Sequence, residues 1–225
     1  MMTNQFTCTL LLLIATASSI YASDDRSYVV LVKGKDGGVI CGGALYNNRT
    51  VITAATCLTF YDVDQLVVGI VSSGQDINID NNGHTFNIAF DPDTQENDVA
   101  ILRLAEPVSA TYVKLPSKQP VTGSTGVLTI WSANKTLVDI SETIITADDC
   151  VSGKYNYEDG DLFDSMLCGL SKDQACAIAG SPLVSEGQLI GLASWGYGCA
   201  NKANPEVYTN IYEEKSWITS TVESW

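Results

Sequence analysis

The stretch Cys41-Gly42-Gly43-Ala44-Leu45, continued through Asn48-Arg49-Thr50 into Val51-Ile52-Thr53-Ala54-Ala55-Thr56-Cys57, sets a short β-branched run, Thr50 to Ala54, between two cysteines. Runs of the same kind recur outward in both directions: Tyr28 to Val32, Gln65 to Val71, His84 to Ala89, Val99 to Leu104, Val127 to Trp131, Ile140 to Thr146, Leu189 to Ser194 and Val207 to Ile211. Turn-formers separate them, such as Gly34 to Gly38, Asp80 to Gly83 and Asp91 to Asp93. Short β-branched segments punctuated in this way predict an all-β sandwich or barrel. Nothing repeats at the period of a solenoid. Glu106-Pro107 and Pro116 to Gly126 form a strand-poor stretch suited to crossing from one barrel to another. At the end of the chain, Tyr212, Trp217, Ile218 and Val222 recur near a helical spacing and predict a terminal helix.

Of the 225 residues 45% are hydrophobic and 17% charged, which excludes disorder, collagen and coiled coil. Twelve Lys plus Arg against 26 Asp plus Glu leave a net charge of -14. A field of that sign repels polyphosphate and anionic membrane faces, so neither nucleic acid nor membrane is an expected partner. Residues 1–22 carry no charged side chain, hold the apolar run Leu10-Leu11-Leu12-Leu13-Ile14-Ala15 and end among small residues, the pattern of a secretory signal peptide cut near Ala22. The expected location is extracellular. Cys8 leaves with the leader, and the even set Cys41, Cys57, Cys150, Cys168, Cys176 and Cys199 reads as disulfides in an oxidising compartment. Composition does not choose among the pairings. Joining sequence neighbours, Cys41 with Cys57, Cys150 with Cys168 and Cys176 with Cys199, is the economical set, each closing a loop worth about 3 kcal/mol. A zinc site is the rival, but there is no Cys-x-x-Cys and the single His is remote, so no metal or other cofactor is expected. Asn48-Arg49-Thr50 and Asn134-Lys135-Thr136 are glycosylation acceptor triplets and predict exposed loops.

Four separated segments resemble the trypsin/chymotrypsin family of secreted serine proteases. The block from Cys41 to Cys57 is similar to the family's first-barrel block, which ends Thr-Ala-Ala-His-Cys, and Thr56 stands where the catalytic His belongs. Asn97-Asp98-Val99-Ala100-Ile101-Leu102-Arg103-Leu104 matches the block of the triad Asp, with Asp98 retained. Ser194-Trp195-Gly196-Tyr197-Gly198-Cys199-Ala200 and Pro205-Glu206-Val207-Tyr208-Thr209 resemble the strands lining substrate and pocket, and Trp217-Ile218 the terminal helix. Cys176-Ala177-Ile178-Ala179-Gly180-Ser181-Pro182 resembles Cys-Gln-Gly-Asp-Ser-Gly-Gly-Pro with one residue missing. Counted back from Pro182, Ala179 takes the place of the nucleophile. Counted forward from Cys176, Gly180 does, and Ser181 is offset either way. The resemblance implies two six-stranded antiparallel Greek-key barrels and a C-terminal helix in a peptidase-like domain over residues 23–225, with the first barrel about 23–115, the second about 120–211 and the helix about 212–225. It also implies the neighbour pairing of the cysteines.

In that mechanism an imidazole takes the Ser proton and returns it to the leaving amine, while Asp fixes its tautomer. Thr56 cannot accept a proton near pH 7, and His84, in a polar turn, is expected far from the cleft. Loss of nucleophile or base costs about a millionfold, roughly 8 kcal/mol of barrier. The deletion also falls on the turn that forms the oxyanion hole in active relatives. The resemblance also implies loss of the family's zymogen switch, in which a freed Ile-Val-Gly-Gly-type amine pairs with an Asp before the nucleophile: counted back from Pro182, Ile178 holds the position of that Asp, and only Ser23 to Ser27 precede the first strand. Each retained residue has a structural reading beside the functional one: Asp98 satisfies buried polar groups, Thr56 fills the imidazole's place, and Trp131 and Trp195 are core or cleft-wall aromatics. Gln174 is expected at the base of the primary pocket and Glu206 replaces a Gly lining it, so the pocket is plugged or newly acidic, with plugging preferred. Ser194 and Gly196 complete the pocket-like set. These features describe a secreted protease homologue that acts by binding a protein, such as an active serine protease, its zymogen or an inhibitor, rather than by catalysis. The alternatives are a hydrolase of unorthodox mechanism using Thr56 or Ser181, and a small-ligand binder in the old cleft. Oligomeric state is not encoded legibly.

Overall fold

The computed structural model describes residues 25–172 and 176–225, so the leader at 1–22 and Gln174 lie outside the described residues. Six strands, β1 (Val29–Gly34), β2 (Val39–Leu45), β3 (Thr50–Thr53), β4 (Leu66–Ile70), β5 (Gln75–Phe86) and β6 (Ala100–Leu104), close a barrel in the order β1-β2-β3-β6-β5-β4. Six more, β7 (Thr125–Trp131), β8 (Leu137–Thr146), β9 (Met166–Ser171), β10 (Pro182–Ser185), β11 (Gln188–Trp195) and β12 (Glu206–Asn210), close a second in the order β10-β11-β12-β9-β8-β7. All the ladders between these strands are antiparallel. Short helices α1 (Thr56–Thr59) and α2 (Ala147–Cys150) interrupt the loops, and α3 (Ile211–Glu223) ends the chain. This is the two-barrel architecture that the resemblance implies.

The nearly continuous apolar runs of β3 and β6 follow from burial on both faces. Val51, Leu102 and Leu104 point into the first barrel with Val30, Val32 and Val68. Their neighbours Ile52 and Ile101 point outward against Leu189 and Leu192 of the second barrel and Ile211 and Ile218 of α3. The second barrel fills with Leu128, Ile144, Leu167, Leu183 and Tyr208. Asn210 caps α3 by accepting the Tyr212 N–H, and the buried Glu214 accepts a 2.7 Å hydrogen bond from Asn87 Nδ2, which fastens the helix to the first barrel. The six cysteines form Cys41–Cys57, Cys150–Cys168 and Cys176–Cys199, which removes them as zinc ligands.

Two expectations are corrected. Asp80 to Gly83 is not a separator between strands: β5 runs through it, absorbing the irregularity as a register shift between Ile79 and His84 with Asn82 at φ 61°. His84 is accordingly on a strand, exposed and opposite Leu102, rather than in a turn. Three strands, β2, β9 and β10, escape the β-branched pattern. In β2 the reason is close packing, because a Cβ on Gly43 would lie 3.0 Å from Val51 Cγ1 and 3.1 Å from Val30 Cγ2.

The barrels meet where Gly42 N–H donates to the Ala179 carbonyl at 2.8 Å and Gly180 N–H to the Ala193 carbonyl at 2.7 Å. Gly180 has φ +78°, and a Cβ there would collide with the Gly42 carbonyl and stand 2.7 Å from Thr53 Oγ1. Gly180→Ala is expected to lose about 3 kcal/mol or more in chemical denaturation, combining left-handed strain with overpacking. Gly187→Ala, at φ +73° with open space around it, is expected to lose only about 1 kcal/mol.

Candidate functional site

At the barrel junction Asp98, fully buried just before β6, accepts from the Thr56 N–H through Oδ1 at 2.8 Å and from Ser194 Oγ through Oδ2 at 2.5 Å. Its own carbonyl receives the Thr209 hydroxyl at 2.7 Å. One residue of the first barrel thus binds α1, β11 and β12 together. Burial pushes its carboxyl above the usual Asp range, and the hydrogen bonds from Ser194 and Thr56 pull it back.

Thr56 opens α1, and its hydroxyl donates to Gln95 Oε1 at 2.6 Å, while Gln95 Nε2 donates to the Pro92 carbonyl at 2.6 Å. Gln95 holds φ 62°, a left-handed backbone that aims its side chain at this position from the 91–97 loop. The place of the catalytic imidazole therefore holds a hydroxyl already committed as a donor to an amide. Neither group takes a proton at neutral pH. Sequence reasoning missed Gln95; its proximity in sequence to Asp98 was the available signal.

On the other side of the junction, the Ala179 carbonyl accepts from Gly42 and the Ser181 N–H donates to the Ile178 carbonyl at 3.0 Å. Ser181 is 2% exposed at the entry to β10. Neither Ala179 nor Gly180 has a hydroxyl, so the triad is broken at base and nucleophile positions alike, with Asp98 its remaining member.

Trp195 and Gly196, expected in the pocket wall, lie at the end of β11 and just beyond it. Trp195 packs edge-on to Tyr157 at 5.7 Å and to Tyr197 at 6.1 Å, and those two tyrosines stack at 5.4 Å. Glu206 is 5% exposed, with Oε2 3.4 Å from where a Cβ of Gly196 would sit, so its carboxyl occupies the volume beside Gly196. Behind it is a residue that sequence reasoning missed, Glu142 of β8, 1% exposed. Its signal is strand alternation: Glu142 shares a face with the buried Ile144. Burial raises Glu142 to about 7, and burial together with the Glu142 charge raises Glu206 to about 8. No group of three or more His, Cys, Asp or Glu that could hold a metal ion occurs among the described residues.

Asp98→Ala would strand the Thr56 N–H and the Ser194 hydroxyl, with an expected loss of about 2–4 kcal/mol in chemical denaturation. Fluorophosphonate treatment of the mature protein is expected to leave its mass unchanged, and Thr56→His alone is expected not to alter that, since a base without a nucleophile forms no adduct.

Comparison with known proteins agrees with this geometry. Trypsin theta of Drosophila erecta is 34% identical over 215 residues, covering 88% of this chain and 82% of its own. The trypsin of Sarcophaga bullata is 32% identical over 203 residues, covering 81% and 79%. Among solved structures, kallikrein-related peptidase 10 superposes with a TM-score of 0.76 at 26% identity over 89% of this chain and 97% of that one. The sequence profile of the family described as Trypsin matches residues 18–218. With Thr56 in the place of its catalytic histidine, the chain belongs to the trypsin family.

Proposed function

We propose that this chain is a secreted, non-catalytic member of its family that acts by binding protein, as a cofactor, decoy or regulator of an active serine protease, its zymogen or its inhibitor. The observation that carries the reading is the Thr56–Gln95 hydrogen bond beside an otherwise retained frame: the base's position is closed while Asp98, Ser194 and both barrels are kept. The net charge of -14 favours a basic partner, and the loops flanking the site contribute exposed acids, Asp91 and Asp93 on one side and Glu158 and Asp159 on the other. An unorthodox hydrolase has less support, because Ser181 is buried and the Thr56 hydroxyl is occupied.

Three features support an extracellular setting. The disulfides suit an oxidising compartment, the apolar leader at 1–22 reads as a signal peptide, and Asn48 and Asn134 are both exposed acceptor sites. No helix among the described residues is long and apolar enough to cross a membrane.

Affinity capture with the mature protein from its own extracellular fluid, against an active relative as control, is expected to recover a serine protease, a zymogen or an inhibitor. The association should weaken as salt rises, and charge reversal at Asp91 and Asp93 should slow it. Recovery of none of these would sink the reading. Separately, glycosidase treatment is expected to shift the secreted protein's mobility, and Asn48→Gln with Asn134→Gln to abolish that shift.

A further inference from the structure

Two carboxyls share the interior of the second barrel with no counter-charge among the described residues. Glu142 projects inward from β8 and Glu206 from β12, on either side of β9. Gly169 of β9 pairs with Glu206 and leaves the room they occupy: a Cβ there would collide with Glu142 Oε2 and stand 2.7 Å from the Tyr208 ring. Both Glu142 oxygens, Glu206 Oε2 and the Tyr208 hydroxyl are buried without a well-formed hydrogen bond among the described residues, and the Tyr208 hydroxyl faces Glu142, whose charge it partly stabilises. None of the ion pairs among the described residues reaches the cluster. The groups bearing on it are all acidic or phenolic: Tyr208 on β12, Tyr157 before β9 and, behind Tyr157, Asp161 and Tyr197. Native interiors rarely leave this many polar atoms unmatched, and a lone buried carboxylate is far costlier than a neutral carboxyl.

We propose that Glu142 and Glu206 form a proton-operated latch beneath the former pocket. With protons bound, β8, β9 and β12 pack shut behind Trp195 and Gly196; when the protons pass to solvent, two unpaired charges in the barrel interior loosen that wall. The latch stands whether or not a protein partner is found. The link to the wall runs through Glu206, whose Oε2 lies 3.4 Å from where a Cβ of Gly196 would sit, and through Tyr157, which packs on Trp195.

The sign follows from linkage. An unfolded Glu titrates near 4.5, whereas the folded pair holds its protons to about 7 and about 8. The stabilisation is therefore full below about pH 4.5, is lost as pH rises through 7 and 8, and changes no further above that. Asp98 and Glu214 are also raised and act in the same direction, so the pair has to be isolated by substitution.

The test is the melting temperature of the mature protein from pH 5 to pH 9, alone and as Glu142→Gln with Glu206→Gln. The wild type is expected to lose about 5 °C or more across this range, and the double variant to lose much less. Infrared spectra should show a protonated-carboxyl C=O band at pH 6 that vanishes by pH 9 and is missing from the variant. Amide exchange over residues 193–197, corrected for intrinsic rate, should accelerate with pH only in the wild type. Matching melting profiles, or no such band at pH 6, would overturn the latch. A band and a melting slope without faster exchange at 193–197 would overturn its coupling to the wall.

Discussion

A carboxylate sealed between two barrels is tolerable only if donors meet it, and Asp98 is met by the Thr56 N–H and the Ser194 hydroxyl while its carbonyl takes the Thr209 hydroxyl. The bonds to Ser194 and Thr209 cross between barrels, so the junction's geometry rests on this residue whether or not a base stands beside it. That explains how the frame survives the replacement of the imidazole by Thr56. The residue at the family's triad Asp position is here a structural tie, and removing it would leave buried donors unpaired.

The remaining buried acids form a contrast with it. Glu214 at the start of α3 has the Asn87 amide, but among the described residues no cation reaches Glu142 or Glu206, and Glu142 faces only the weak Tyr208 hydroxyl. The difference lies in position: Asp98 sits at a loop-to-strand transition where backbone N–H groups are free to donate. Glu142 lies within β8 and Glu206 opens β12, and both strands pair with β9, whose ladders engage the backbone beside the two carboxyls. Protonation is then the remaining route to neutrality, which makes the acid pair sensitive in a pH range where solvated carboxyls have long since ionised.

Much of the fold was legible because closed barrels demand short, regularly punctuated strands. β3 and β6 announced themselves through Thr50 to Thr53 and Ala100 to Leu104, and α3 through the spacing of Trp217, Ile218 and Val222. The strands that stayed hidden lack that chemistry. β2 carries Gly42 and Gly43 because neighbouring segments crowd them, and β5, legible only from His84 onward, passes through Asn82-Gly83, a dipeptide that reads locally as a turn but here forms a bulge held by pairing to β6.

Residue identity alone determined that the proton-transfer chemistry is gone, because a threonine hydroxyl accepts no proton at neutral pH in any packing environment and neither Ala179 nor Gly180 has a nucleophilic atom. What took over the vacated volume was decided only by the tertiary structure. Gln95 reaches Thr56 across 39 residues of sequence, and Glu142 meets the strand of Glu206 only through β9 lying between them. Such contacts depend on strand order and register around a closed barrel, which local periodicity does not specify.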